Sequence, residues 1–434
     1  MIRRILSSQL RINMASGMAT TVVNIAVMAA SYPIYLHFLG YENYGVWLVL
    51  AVVLTFAQLG DIGISPAIMK LVAEEYGRKN IKGIQCYITT ALTMLCLSGI
   101  IVLAAVLIFK LQIISLFKLN SENAKLAAWL LPYIGVLSVY IFIVNVFNAT
   151  LSGLGRMDLA NYIQTASKVI TVAVATVLLY LGKSIESLLI GSILSYLFIH
   201  IASLVWIRRI APVRFLQISS FDVYRCKRLL HFGGAVFGGS LIGMFLSPFN
   251  KLMLSRYAGV STIPVYEIAF NGSMQVRALG EAGLRALMPE ISRIRGEMTI
   301  NAKERILQLY RRAMKLIFLF GIPMYSGLII LLTLLLRLWL RERFVDELPI
   351  TFRIMLVSSF LSLLGVPSYY MLLGLGMVRY TLAAHIILSA GSALTLAIVL
   401  CIRHSISVET VCWTMLAATT VTTIYLNWQS KRRF

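Results

Sequence analysis

Arg277, Glu281 and Arg285 stand four residues apart, so a helix through them carries all three on one face. A guanidinium is a planar fork that grips a phosphate or carboxylate through two N–H groups at once. One glutamate cannot neutralise two arginines, which marks Arg277 as a candidate anion ligand. Glu281 and Arg285 read equally well as a self-satisfying ion network at a helix end. Three further groups stand out. Lys168 follows Gln164 by one turn. Lys251 follows Asn250 at the end of a polar stripe of Ser240, Gly243, Ser247 and Asn250. Asn24 lies in a second stripe with Asn13, Ser16, Thr20 and Ser31. Such stripes also serve as helix-packing seams, and Lys251 stands close enough to a segment end to snorkel to the surface.

These residues matter because of the segments that hold them. The 434-residue chain is 59% apolar and only 13% charged, against about 45–50% and about 25% in soluble domains. Its mean hydropathy is +0.84. That composition excludes a soluble enzyme, a disordered chain, a coiled coil and a disulfide scaffold. Twelve continuous apolar runs reach bilayer-spanning length. They cover about 12–38, 43–67, 84–109, 126–150, 159–181, 185–207, 229–256, 262–288, 310–337, 349–375, 380–402 and 406–428. The expected fold is all-α, a polytopic membrane protein of twelve transmembrane helices. A charge at the centre of such a helix costs roughly 2.5–3.5 kcal/mol, so Lys168, Lys251, Arg277 and Arg285 are expected to face a cavity. The first span holds no Asp or Glu. A cation exporter needs a buried carboxylate; a basic cavity suits an anion.

The net charge is +22. In a chain this apolar it reads as loops facing anionic lipid, not as nucleic-acid binding. With the N-terminus inside, 25 of the 39 Lys and Arg fall on the cytoplasmic side and 10 outside. The inside clusters include Lys70–Lys82, Arg208–Arg228 with Arg214, and Arg293–Lys315 with Arg295. Both termini are expected in the cytoplasm. The five cysteines form no C-x-x-C pair, the five histidines form no metal-ligand or triad pattern, and no Walker A sequence is present.

The chain repeats itself. Leu59-Gly60-Asp61-Ile62-Gly63-Ile64 matches Leu279-Gly280-Glu281-Ala282-Gly283-Leu284, 220 residues on. Leu151-Ser152-Gly153-Leu154-Gly155 matches Leu372-Leu373-Gly374-Leu375-Gly376, 221 residues on. An offset of six spans preserves topology, so two six-helix lobes (1–207 and 229–434) are expected to be pseudo-symmetric about a central cavity. The basic stretch 208–228 would be their linker. Asp61 and Glu281 are equivalent under this repeat and are candidate coupling or structural acids.

The first two spans read Pro33-x5-Leu39-Gly40-x3-Tyr44-Gly45-x-Trp47, then Gln58-Leu59-Gly60-Asp61-Ile62-Gly63 and Lys70-Leu71-Val72-Ala73-Glu74. This resembles the polysaccharide-biosynthesis flippases, the O-antigen (Wzx-type) branch of the multidrug/oligosaccharidyl-lipid/polysaccharide exporter superfamily. The resemblance covers the whole chain. It implies alternating access in the bacterial inner membrane, moving an undecaprenyl-pyrophosphate-linked oligosaccharide from the cytoplasmic to the periplasmic leaflet. Headgroup and pyrophosphate would meet Arg277, Lys251, Lys168, Arg285, Asn24 and Asn250, while the polyprenyl tail stays among membrane lipids. The implied protein partners are a polysaccharide polymerase and a chain-length regulator. No cofactor is expected. A coupling proton or sodium ion is not chosen by the sequence, and Asn250 stands where such proteins often carry an acid before the base. The competing reading is a cation-coupled multidrug antiporter of the same superfamily. A polymerase or ligase would need a large outer loop, and every outer loop here is short.

Overall fold

The computed structural model describes residues 2–61, 63–212, 222–282, 284, 287, 291, 294 and 302–433. Arg285, Arg214, Arg293 and Arg295 lie outside them, as does the side chain of Ser240. Among the described residues the chain is helical, with no strand. Fourteen helices follow in order: α1 (Ile2–Ala57), α2 (Ile64–Gly77), α3 (Ile81–Ile108), α4 (Lys110–Leu116), α5 (Ser121–Gly153), α6 (Met157–Tyr180) and α7 (Glu186–Ile210); then α8 (Val223–Tyr257), α9 (Ile263–Ala282), α10 (Ala302–Leu316), α11 (Ile322–Leu340), α12 (Glu347–Gly374), α13 (Val378–Arg403) and α14 (Val408–Arg433). This order accommodates the twelve expected spans. The helices run past the apolar limits of the sequence, because their polar end turns continue the same backbone hydrogen bonding at the headgroup level.

Two devices bend the first pair of spans. At Gly40 the backbone takes φ 67° and ψ −179°, a region reserved to glycine, and the chain changes direction inside α1. The expected second span, 43–67, is itself divided. A 3₁₀ turn at Gln58–Asp61 separates α1 from α2, and Asp61 Oδ1 accepts the Ser65 N–H at 3.1 Å. That hydrogen bond satisfies one donor left orphaned at a helix start.

Among the described residues eight helical stretches are long and apolar enough to cross a bilayer by length and composition alone. α8, α9 and α14 are not among them. These are the helices that hold Asn250 and Lys251, Glu267, Arg277 and Glu281, and a run of buried threonines.

The chain forms two compact units, Met1–Leu241 and Ile242–Phe434, divided within α8. Of the expected linker 208–228, residues 208–210 close α7 and 223–228 open α8. In the first unit α5 packs on α2, α3 and α7, around a core that includes Ile68, Tyr87, Leu95 and Phe142. In the second, α12 packs on α9, α14 and α11. The repeat is legible in the caps of these two central helices. After α5, Gly155 (φ 81°) donates to Ser152 O and Arg156 to Leu151 O; after α12, Gly376 (φ 70°) donates to Leu373 O and Met377 to Leu372 O. Both are left-handed glycine caps that close the last carbonyls in the same way.

Gly63 (φ 71°) sits where an added Cβ would strike the backbone of Gly233, so the first half of α8 lies directly against the start of α2. Gly63→Ala is expected to cost about 1–2 kcal/mol from the left-handed backbone alone and more from the collision. Gly77→Ala, with open space around it, is expected to be near neutral. Thermal unfolding of the purified variants in detergent measures the difference.

Candidate functional site

In the second unit α8 and α9 form an antiparallel hairpin about Gly259, which takes φ 96°. Residues equidistant from the turn face each other across it. Lys251 Nζ therefore lies 2.8 Å from Glu267 Oε2, an oxygen otherwise without a partner. Both side chains are nearly buried, at 11% and 13% exposure. The neighbouring Asn250 is fully buried. Its Nδ2 donates to Tyr266 Oη at 3.0 Å and approaches Met415 Sδ of α14 at 3.2 Å, while its Oδ1 accepts nothing. Lys251 is thus held inside the bundle by an acid and does not snorkel.

Further along α9, Arg277 Nη2 lies 3.2 Å from Glu281 Oε2. Glu281 Oε1 accepts the Tyr370 hydroxyl of α12 at 2.7 Å. The guanidinium is about a quarter exposed, and its Nε is buried with no hydrogen-bond acceptor. Tyr325, Tyr369 and His385 lie within its electrostatic reach. Tyr370 and Tyr369 stack edge-on. One face of Arg277 is therefore neutralised by Glu281, and another N–H stands ready for an acceptor that the described residues do not supply.

The first unit holds a different arrangement. α1 and α6 run parallel and are joined by rungs of constant offset. Asn13 Oδ1 accepts the Asp158 N–H, Asn161 Nδ2 donates to Ser16 Oγ, and Thr165 donates to Thr20 Oγ1. Each pair is 145 residues apart, so the polar stripe of α1 is a packing seam over these turns. The next turn breaks the pattern. Asn24 stands on α1 with its Oδ1 buried and unpartnered. Lys168 stands on the matching face of α6, exposed, with no ion pair or hydrogen bond among the described residues. The seam ends where the two predicted ligands begin.

The structure therefore brings Arg277 and Glu281 together and sets Lys251 beside Asn250 against Glu267; Asn24 and Lys168 lie beyond the last rung, on α1 and α6. Asp61 acts locally, at the start of α2. Sequence reasoning missed Glu267, Tyr266, Tyr325 and Tyr370. Glu267 was reachable, because reflection through the turn at Gly259 places it opposite Lys251. The tyrosines come from α9, α11 and α12 with no spacing signal.

The profile of the polysaccharide biosynthesis protein family matches residues 37–349. The chain belongs to this family. It is 21% identical over 357 residues to a Shigella flexneri protein provisionally named an O-antigen transporter, a match covering 80% of each chain. Among solved structures it resembles an inward-facing multidrug resistance MATE family transporter of the MOP superfamily. That match has a TM-score of 0.78 at 16% identity, over 99% of this chain and 98% of the other. It also resembles the lipid II flippase MurJ in an inward closed conformation, with a TM-score of 0.74 at 16% identity, over 95% and 87%. This family member is a multi-pass membrane protein with the MOP transporter fold.

Removing one partner of a buried ion pair strands the other charge, at a cost of about 3–5 kcal/mol. Lys251→Met and Glu267→Leu are each expected to destabilise the protein by about that much. The double variant is expected to be more stable than either single one. A double-mutant cycle of unfolding in detergent tests this.

Proposed function

We propose that the protein is a flippase that carries an undecaprenyl-pyrophosphate-linked oligosaccharide, an O-antigen or similar repeat unit, from the cytoplasmic to the periplasmic leaflet. It works as a transporter in the bacterial inner membrane, with both termini cytoplasmic, by alternating access of two six-helix lobes about a central cavity. The observation that carries this reading is Arg277, a guanidinium within an apolar chain whose buried Nε has no acceptor among the described residues. Membership of the polysaccharide biosynthesis family, the O-antigen transporter name of the Shigella relative and the fold shared with the lipid II flippase all support it.

In this mechanism Arg277 offers its free N–H face to the pyrophosphate, and Glu281 with Tyr370 fixes the orientation of the fork. Lys168 adds a second positive charge, and Asn24 accepts from sugar hydroxyls. Arg285, eight residues after Arg277 in the sequence, is proposed as a further ligand. The tail remains in lipid, so only the headgroup needs a polar path. An inside-negative potential favours outward movement of the anion by about 2.3 kcal/mol per charge per 100 mV. A proton or sodium ion could add to this drive. A polymerase and a chain-length regulator would receive the product.

The antiporter reading is weaker. A cation site needs an available carboxylate, and Glu267 and Glu281 are each engaged by a base of their own unit.

Complementation of a flippase-null strain tests the proposal, read as surface polysaccharide and cytoplasmic accumulation of lipid-linked repeat units. The wild-type chain is expected to restore the polymer. Arg277→Ala is expected to abolish it while the protein still inserts, and Arg277→Lys to retain part of it. Normal polymer from Arg277→Ala would remove Arg277 from the path.

A further inference from the structure

At one end of the first unit, Lys70, Leu71, Tyr224, Lys227, Arg228 and His231 line a cavity of about 450 Å³. Lys70 and Leu71 come from the middle of α2; the rest come from the first turns of α8. The contact between Gly63 and Gly233 locks these two helices together. Glu74 then spaces the cations. Its Oε2 receives Arg228 at 3.0 Å, and its Oε1 lies 3.9 Å from Lys70. The Tyr87 hydroxyl accepts a second Arg228 hydrogen bond at 2.9 Å. One carboxylate thus holds two bases in place without cancelling their charge. Lys227 is exposed and has no partner among the described residues, and His231 is exposed beside it. The neighbouring Arg225 is already taken by Asp222 at 2.8 Å. Among the described residues the cavity keeps a surplus of positive charge, since one carboxylate, Glu74, is shared by Lys70 and Arg228 and Lys227 adds a further cation.

Depth identifies the ligand. Lys70 lies seven residues from the end of α2 and Arg228 five from the start of α8. At 1.5 Å per residue both stand within about 10 Å of the helix ends, in the headgroup layer. Val223, Tyr224 and Leu230 are exposed around the same turns, as befits side chains that meet the bilayer boundary. We propose that this cavity binds the phosphate of an anionic phospholipid headgroup, with Lys227 and Arg228 as phosphate ligands and Tyr224 against the glycerol backbone. A phosphodiester bound there would join α2 to α8, the helix within which the two units divide.

Phosphate chemistry could also come from inorganic phosphate or from a polyprenyl diphosphate, so the test separates the three. Purified full-length protein in neutral maltoside is titrated with dioleoyl phosphatidylglycerol or dioleoyl phosphatidylcholine and read by native mass spectrometry. Phosphatidylglycerol is expected to bind at least tenfold more tightly. Lys227→Gln is expected to weaken it about fivefold, the effect of one basic group near an anionic lipid surface, with lipid-free thermal stability unchanged. Lys227→Arg is expected to keep binding. Equal binding of the two lipids, or an unaltered affinity in Lys227→Gln, would overturn the proposal. So would displacement of phosphatidylglycerol by equimolar inorganic phosphate or farnesyl diphosphate.

Discussion

A positive charge inside an apolar helix bundle must find an anion, because no water is there to solvate it. In the second unit α9 meets this demand. It carries Glu267 against Lys251 and Glu281 against Arg277, with Glu281 further tied to Tyr370. α9 itself carries one base and two acids, and with Lys251 of α8 they close into two ion pairs. Balance is reached without saturation, however. Among the described residues the Arg277 Nε is left over, and so is the Asn250 carbonyl oxygen. A network built only for stability would be better closed, since each buried orphan costs about 1–3 kcal/mol.

The first unit solves a related problem with neutral groups. Its α1–α6 seam uses hydroxyls and amides, which cost less to bury than ions and let two parallel helices approach closely. The regular rungs at Asn13, Ser16 and Thr20 fix the register of α6, and the register fixes the height of Lys168. The paired portion of the stripe thus sets the position of its unpaired portion. The central helices α5 and α12 end in matching caps at Gly155 and Gly376, while the polar contents of the two units differ.

Much of this was legible in the sequence. Span periodicity is a strong signal because the bilayer imposes length and apolarity together. One of the two sequence matches falls on Gly155 and Gly376, which cap α5 and α12 in the same left-handed geometry. The Arg277–Glu281 pair was readable because i,i+4 spacing is local. What escaped was pairing between helices. Lys251 looked free to snorkel until the hairpin supplied Glu267. The stripe on α1 looked uniform until its partners on α6 divided it into seam and open end. Asp61 matches Glu281 in the repeat, yet it serves the local turn between α1 and α2, a difference that depends on backbone geometry no spacing rule contains.

The central claim is that the basic groups recognise a diphosphate and not merely a sugar or a lipid tail. Its most direct test uses the purified protein in sealed liposomes with a fluorescent oligosaccharide on a polyprenyl chain, with leaflet position read by chemical quenching from outside. The diphosphate-linked oligosaccharide is expected to cross, and the same oligosaccharide joined to the same chain by a neutral glycosidic link is expected to stay in its leaflet. Equal crossing rates for the two would contradict the account.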